Sequence, residues 1–327
     1  MKKRLNIDLL QKGDIILTTT DHISSVAIRK ATKSDISHAM LCVEHSSVIH
    51  AVTSGVRSEN AQRIFFDDNL DVHVMRLRGG ITPKDAETIS NYVRSKVGSE
   101  YTYLEAARAW KKVGKKFGAR QFCSRLVAQG YAKAGHNLVC DPNFCTPEEL
   151  NRSSLLIEVP NMTVGASSDE VKFWESYSSG PDLMHAIQDR ILSEARRLDK
   201  QIQDFNDLGR FVIAHPHHDL AVADLYINSG YLDFWRYDIE LHPWHYDLAK
   251  MKEIPLEHSV RKYCESTMSG EARDHNRYTQ TLEVYNDANT KWPRRTFELL
   301  IWLYEILAAN HAIRHDVAAE WLEQHDI

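Results

Sequence analysis

Short apolar runs broken by polar turns open the chain, and spacings of three and four residues take over later. Asp14-Ile15-Ile16-Leu17, just after Gly13, predicts a first strand. Ala39-Met40-Leu41-Cys42-Val43 and Val48-Ile49-His50-Ala51-Val52 predict two more, and the polar Glu44-His45-Ser46-Ser47 between them suits a hairpin turn. Val72-His73-Val74-Met75-Arg76-Leu77 alternates at period two and predicts a fourth strand, ended by Gly79-Gly80. Pro83 suits the first turn of a helix, and Ala86, Ile89, Tyr92 or Val93, and Val97 then fall on one face. A second helix is expected to begin near Cys123 and to run through Leu126, Val127, Gly130 and Tyr131 to a stop at Gly135.

The texture changes around residues 160–170. Thr163-Val164-Gly165-Ala166-Ser167-Ser168 is small and polar and suits a linker. Beyond it Met184, Ile187, Ile191, Ala195, Leu198, Ile202 and Phe205 predict one long amphipathic helix. Arg295 to Ala309 is apolar on most faces and predicts a buried helix. The expected organisation is an α+β domain over 1–162 followed by a mainly α-helical domain over 163–327.

Composition adds exclusions. The chain has 327 residues, 43% hydrophobic and 26% charged, which fits two folded domains. A net charge of −5 gives no general footprint for nucleic acid, and Lys111-Lys112 with Lys115-Lys116 forms only a short basic cluster. The basic start, Met1 to Arg4, turns polar at once and is no signal peptide; Phe297 to Ile313 is interrupted by Glu298 and Glu305 and is no membrane span. A cytoplasmic location is therefore expected. Five cysteines without regular spacing make no disulfide framework. Cys140 and Cys145 lack a second pair to complete a zinc site, so no metal and no cofactor are expected.

The candidate chemistry lies in the first half. Ser37-His38 enters one strand, His50 sits twelve residues later on the next, and Cys123 opens a helix within Gln121-Phe122-Cys123-Ser124-Arg125-Leu126. A free thiol is mostly protonated at neutral pH, but a helix N-terminus and a nearby imidazolium can lower its pKa. An imidazole can take the thiol proton and later return it to a leaving group, provided that a third polar group fixes its tautomer. In an antiparallel hairpin His38 and His50 can share a face.

At these residues the chain resembles the permuted NlpC/P60 papain-like superfamily, the YiiX/YaeF and LRAT-like group. The resemblance runs in order through Gly13-Asp14-Ile15-Ile16-Leu17, Ser37-His38-Ala39, Val48-Ile49-His50-Ala51 and Gly55-Val56. It continues through Gly98-Ser99-Glu100-Tyr101, Phe122-Cys123-Ser124, Asp141-Pro142 and Thr146-Pro147-Glu148-Glu149-Leu150, and covers about residues 10–160. It implies Cys123 as nucleophile, His38 as base and His50 as the orienting residue. It also implies a small antiparallel sheet packed on the cysteine-bearing helix, and places Tyr101 near the nucleophile, either as an oxyanion donor or as a core aromatic. Many bacterial members carry Glu where this chain has His50, whereas the acyl-transferring LRAT-like branch uses His. Arg125 stands where many relatives are acidic; a cation there would stabilise a thiolate or bind an anionic substrate group.

The second half offers Phe211-Val212-Ile213-Ala214-His215-Pro216-His217-His218-Asp219 and His242-Pro243-Trp244-His245, which suit turns or an interface better than a metal site. The leading expectation is a thiol hydrolase that cleaves an amide or ester bond through an acyl-enzyme. An LRAT-like lipid acyltransferase or phospholipase, or a silent binding module whose function lies in the helical domain, are the alternatives. Expected partners are a small-molecule, peptide or lipid acyl substrate, with a protein partner possible through the helical domain.

Overall fold

The structure, a computed structural model, describes residues 2–19, 36–44, 46–101, 121–176, 180–255 and 257–325. His45 of the expected turn and the lysine cluster 111–116 lie outside the described residues. The chain divides into two compact units, Met1–Pro181 with Gln203–Phe205, and Asp182–Ile202 with Asn206–Ile327.

The first unit holds β1 (Lys2–Leu5), β2 (Ile15–Thr18), β3 (His38–Glu44), β4 (Ser47–Val52), β5 (Gly55–Asn60), β6 (Phe65–Asp67) and β7 (Val72–Leu77). It is completed by α1 (Pro83–Arg94), α2 (Cys123–Lys133), α3 (Pro147–Asn151), β8 (Leu156–Glu158), β9 (Thr163–Ala166) and α4 (Ser168–Ser176). The four expected strands are β2, β3, β4 and β7. They join β5 and β8 in a six-stranded sheet of order β5-β4-β3-β2-β7-β8, and a second sheet runs β6-β1-β9. All strand pairs within both sheets are antiparallel. The α+β class holds. The stretch read as a linker is strand β9, which pairs with β1 from Lys2↔Ala166 to Leu5↔Thr163. Its small residues suit a half-buried sheet edge as well as they suit a loop.

Alternation divides the core. Ile15, Leu17, Ala39, Leu41 and Val43 pack with Leu126, Val127 and Tyr131 of α2. Ile16, Met40, Cys42, Val48 and Val74 pack on the other face with Leu5, Phe66 and Met162. Two contacts fix the entry to β2. The carboxylate of Asp14, 1% exposed, accepts from Arg76 Nε and Nη2, each at 2.7 Å. The phenol of Tyr131 donates to the Gly13 carbonyl. The turn from β4 to β5 needs Gly55: its φ is +112°, and a Cβ there would lie 2.7 Å from the Ser99 carbonyl oxygen.

The second unit is helical. The expected helix over 184–205 is α5 (Gly180–Leu198), and a new helix, α6 (Phe205–Ala214), follows. The break has a local cause: Asp199 Oδ1 accepts from the Gln201 N–H at 2.8 Å, a turn that competes with the helix. The chain continues through α7 (Asp219–Ser229), α8 (Phe234–Leu241), α9 (Leu248–Lys252), α10 (Glu257–Ser269), α11 (Arg277–Lys291) and α12 (Arg295–His325). Helix α12 runs past Ala309 and is not buried all round. Phe297, Leu300, Leu303, His311, Ala318 and Trp321 form the buried stripe, while Trp302 and Ile313 are exposed. No helix among the described residues is long and apolar enough to cross a membrane.

Candidate active site

The site is built from the β3–β4 hairpin outward. The register Met40↔His50 sets His38 diagonally across from His50 on one face. The two rings meet edge to face, and His38 Nε2 lies 2.9 Å from His50 Nδ1. On the next strand Arg57 stands opposite His50, and Glu59 opposite Val48. These directly paired residues all share the face of His50. Arg57 is turned back to its own turn, where Nη2 donates to the Ser54 carbonyl at 2.7 Å. The other nitrogen of His50, Nε2, lies 3.2 Å from Glu59 Oε1. That is ion-pair distance, but the carboxylate is off the N–H axis and makes no hydrogen bond there. Glu59 had no place in the sequence reading. The signal was the two-residue step from Arg57 to Glu59 on a strand already flanked by Gly55-Val56.

Cys123 is the first residue of α2, and the extended Phe122 before it offers no side-chain cap. Its sulfur lies among donors that favour the thiolate: the main-chain amides of Ala39, Ser124 and Cys123 itself, and the Ser124 side chain. Burial outweighs them and pushes the thiol up, not down. The expected depressed thiol is therefore not what this closed site provides. The helix start supplies N–H groups, but at 5% exposure the cysteine has lost more hydration than they return. Ala39, whose amide faces the sulfur, directly follows His38. Cys123 packs in the cluster of Ala39 and Leu41, whereas His50 is paired with Met40 of the opposite face.

Tyr101 makes a parallel bridge with Gln121, and its ring packs on the Cys123 cluster and on Phe122 with Phe144. Arg125 is fully buried: its Nε donates to the Asn143 carbonyl at 2.7 Å, and its guanidinium carbon stands 4.3 Å from the Phe122 ring centre. Cys145 is buried and Cys140 exposed, so the two do not share an environment.

In the second unit Asp219 closes the histidine-rich loop, and its carboxylate accepts from the N–H groups of Arg295, at 2.7 Å, and Thr296, at 3.0 Å. It caps α12. The neighbouring rings of His217 and His218 lie 4.3 Å apart, centre to centre. Among the described residues no group of three or more His, Cys, Asp or Glu side chains could hold a metal ion. The unit also holds a cavity of about 330 Å³, whose walls include Trp235, Asp238, Tyr278, Tyr304 and Arg314.

Comparison with known proteins places the first unit. Residues 9–151 match the family model described as permuted papain-like amidase enzyme, YaeF/YiiX, C92 family. A solved structure, described as metalloprotein yiiX from Escherichia coli O157:H7, is 20% identical over 46% of this chain and 96% of its own, with a TM-score of 0.35. No curated protein matches the chain. No family covers the C-terminal half. Over residues 9–151 the chain is thus similar to the permuted papain-like amidase family, a similarity that points to a cysteine-type hydrolase at family level.

Proposed function

We propose that this domain cleaves an amide bond through an acyl-enzyme, with Cys123 as nucleophile, His38 as general base and His50 as the residue that orients it. The observation that carries the reading is the 2.9 Å link from His38 Nε2 to His50 Nδ1, in a hairpin whose next residue, Ala39, presents its amide to the Cys123 sulfur. Because Nε2 is engaged by His50, His38 accepts the thiol proton on Nδ1. The scheme requires the thiol and the imidazole to meet at the end of the sheet where β3 begins, and the Ala39 amide beside the sulfur supports it. The sulfur then attacks the carbonyl carbon, and the protonated His38 returns its proton to the leaving amine before water resolves the acyl-enzyme. Amides at the start of α2 supply donors for the developing oxyanion, with Tyr101 beside them. Arg125 acts at one remove: it ties Phe122, the residue before the nucleophile, to the Asn143 loop. A raised thiol fits this scheme, since the proton leaves when substrate and imidazole are both in place.

The pairing of two histidines also favours a second reading, acyl transfer or phospholipase chemistry of the LRAT-like kind on a lipid ester. Intact mass measurement after incubation with peptide amides and with acyl lipids distinguishes them. An adduct on Cys123 from peptides supports the amidase, an adduct from acyl lipids supports the second reading, and no adduct with either, in wild type as in Cys123→Ala, overturns both. The helical unit, with its cavity and exposed histidine loop, is assigned to binding a partner or acceptor rather than to the chemistry.

A further inference from the structure

The histidine pair has a direction, and the structure shows what sets it. A neutral imidazole carries one proton. To take the thiol proton, His38 must have a bare Nδ1 and hold its own proton on Nε2. That proton points at His50 Nδ1, 2.9 Å away, so Nδ1 of His50 must be bare as well and its proton must sit on Nε2. The His50 Nε2 is buried and has no hydrogen-bond partner among the described residues, but Glu59 Oε1 stands 3.2 Å from it. We propose that Glu59 is a positioning residue: its carboxylate holds the proton of His50 on Nε2 and thereby keeps His38 in the form that can act as a base.

The opposite arrangement shows why this matters. With its proton on Nδ1, His50 would donate to His38 Nε2, and neutral His38 would then carry its proton on Nδ1. Such a ring cannot accept the thiol proton. It would also set the lone pair of His50 Nε2 against the Glu59 carboxylate, which is the repulsion that disfavours it. No proton need reach Glu59. The S–H bond of Cys123 breaks, an N–H bond forms at His38 Nδ1, and the imidazolium faces an acceptor nitrogen with a carboxylate behind it. Arg57, directly opposite on β5, also faces His50, and its Nη2 donates to the Ser54 carbonyl at 2.7 Å. Glu59 is 42% exposed on the side chain, so its replacement leaves the core intact.

This inference rests on the reading of Cys123 and His38 as a pair, and the test separates the two. The full-length chain, labelled with ¹⁵N-histidine, is compared as wild type, Glu59→Leu, Glu59→Gln and His38→Ala. Long-range ¹H–¹⁵N spectra report the tautomers, and iodoacetamide labelling of Cys123 is followed by mass spectrometry from pH 5 to 9. Wild type should show Nε2–H on both rings. Glu59→Leu should move His50 toward Nδ1–H and slow Cys123 alkylation at pH 7 by about tenfold, with the melting temperature little changed. Glu59→Gln keeps a carbonyl acceptor and should recover most of the rate. If Glu59→Leu unfolds, Glu59→Lys gives the same comparison with the charge reversed. Unchanged tautomers and rates in the Glu59 variants, while His38→Ala slows alkylation, overturn the role of Glu59 alone. Alkylation that ignores His38→Ala overturns the pair itself.

Discussion

His38 and His50 are joined ring to ring at 2.9 Å, and the bond crosses the β3–β4 hairpin diagonally. Only one nitrogen of His38 is committed by it, which is what an orienting contact requires. Replacing His50 by Ala should therefore leave the fold in place and remove the restraint on the base. Turnover of a small activated acyl substrate should fall by about 10² or more, in kcat rather than in KM. His50→Asn, which can still offer an acceptor, should retain more activity than His50→Ala. Equal rates for wild type and His50→Ala would sink the orienting role.

The five cysteines separate by environment, and this gives a labelling order. Cys42 and Cys145 are buried with thiols pushed far up by lost hydration, and Cys264 is pushed up to about 11. Cys140 is exposed. In the native chain at pH 9, Cys140 should react first with iodoacetamide and Cys42, Cys145 and Cys264 scarcely at all. Cys123, whose thiol burial pushes up, should react more slowly than Cys140 at pH 6–7 as well, but faster than Cys42 and Cys145, and should lose that margin in His38→Ala. Peptide mapping by mass spectrometry reads the order. A Cys123 that labels no faster than Cys42 and Cys145, with or without His38, would leave it a core thiol.

The sequence carried the hairpin well because β3 and β4 are apolar runs with a polar turn, and a twelve-residue step across such a turn brings two side chains to one face. The helix start at Cys123 was equally plain from the run that follows it. Glu59 was hidden because β5, Gly-Val-Arg-Ser-Glu-Asn, is an edge strand whose polar residues read as a loop. The thiol's direction was also out of reach. A helix N-terminus is visible in sequence, but the burial that outweighs it depends on how tightly β3 closes over α2. In the second unit the apolar spacing ran straight through Asp199, since a single side chain that ends a helix leaves the period of its neighbours untouched.

Asp14 and Arg76 predict the stability of the first unit. The pair is bidentate and the carboxylate is almost completely buried, with a third bond from the Gln11 N–H at 2.8 Å. Arg76→Met leaves that carboxylate without its cation and should cost about 3–5 kcal/mol. Asp14→Asn should cost less, because the amide oxygen can still accept. Urea unfolding followed by circular dichroism gives both values. A loss of less than about 1 kcal/mol for Arg76→Met would mean that water reaches the carboxylate.

The second unit should lose stability on mild acidification, and His245 gives the sign. Its ring is stacked on Tyr263 at 4.1 Å between centres, and its Nδ1 is buried with no hydrogen-bond partner among the described residues. Burial, then the nearby His242 and Arg314, lowers its pKa from 6.5 to about 3, while Asp238 works weakly the other way. The native state thus holds a neutral ring that the unfolded chain would protonate near 6.5. Its contribution is fully present above that pH and is lost progressively as pH falls toward 3. Asp238 follows later. Its pKa is about 2, because the bonds from His242 and Tyr246 and the charge of Arg314 together outweigh its burial, so its contribution is present above the ordinary carboxylate range and disappears as pH falls through 2. Thermal melts at pH 7, 5.5 and 4 should show a falling midpoint in wild type and a flatter one in His245→Phe, whose ring keeps the stack and takes no proton. Parallel slopes for the two proteins would place the acid sensitivity elsewhere.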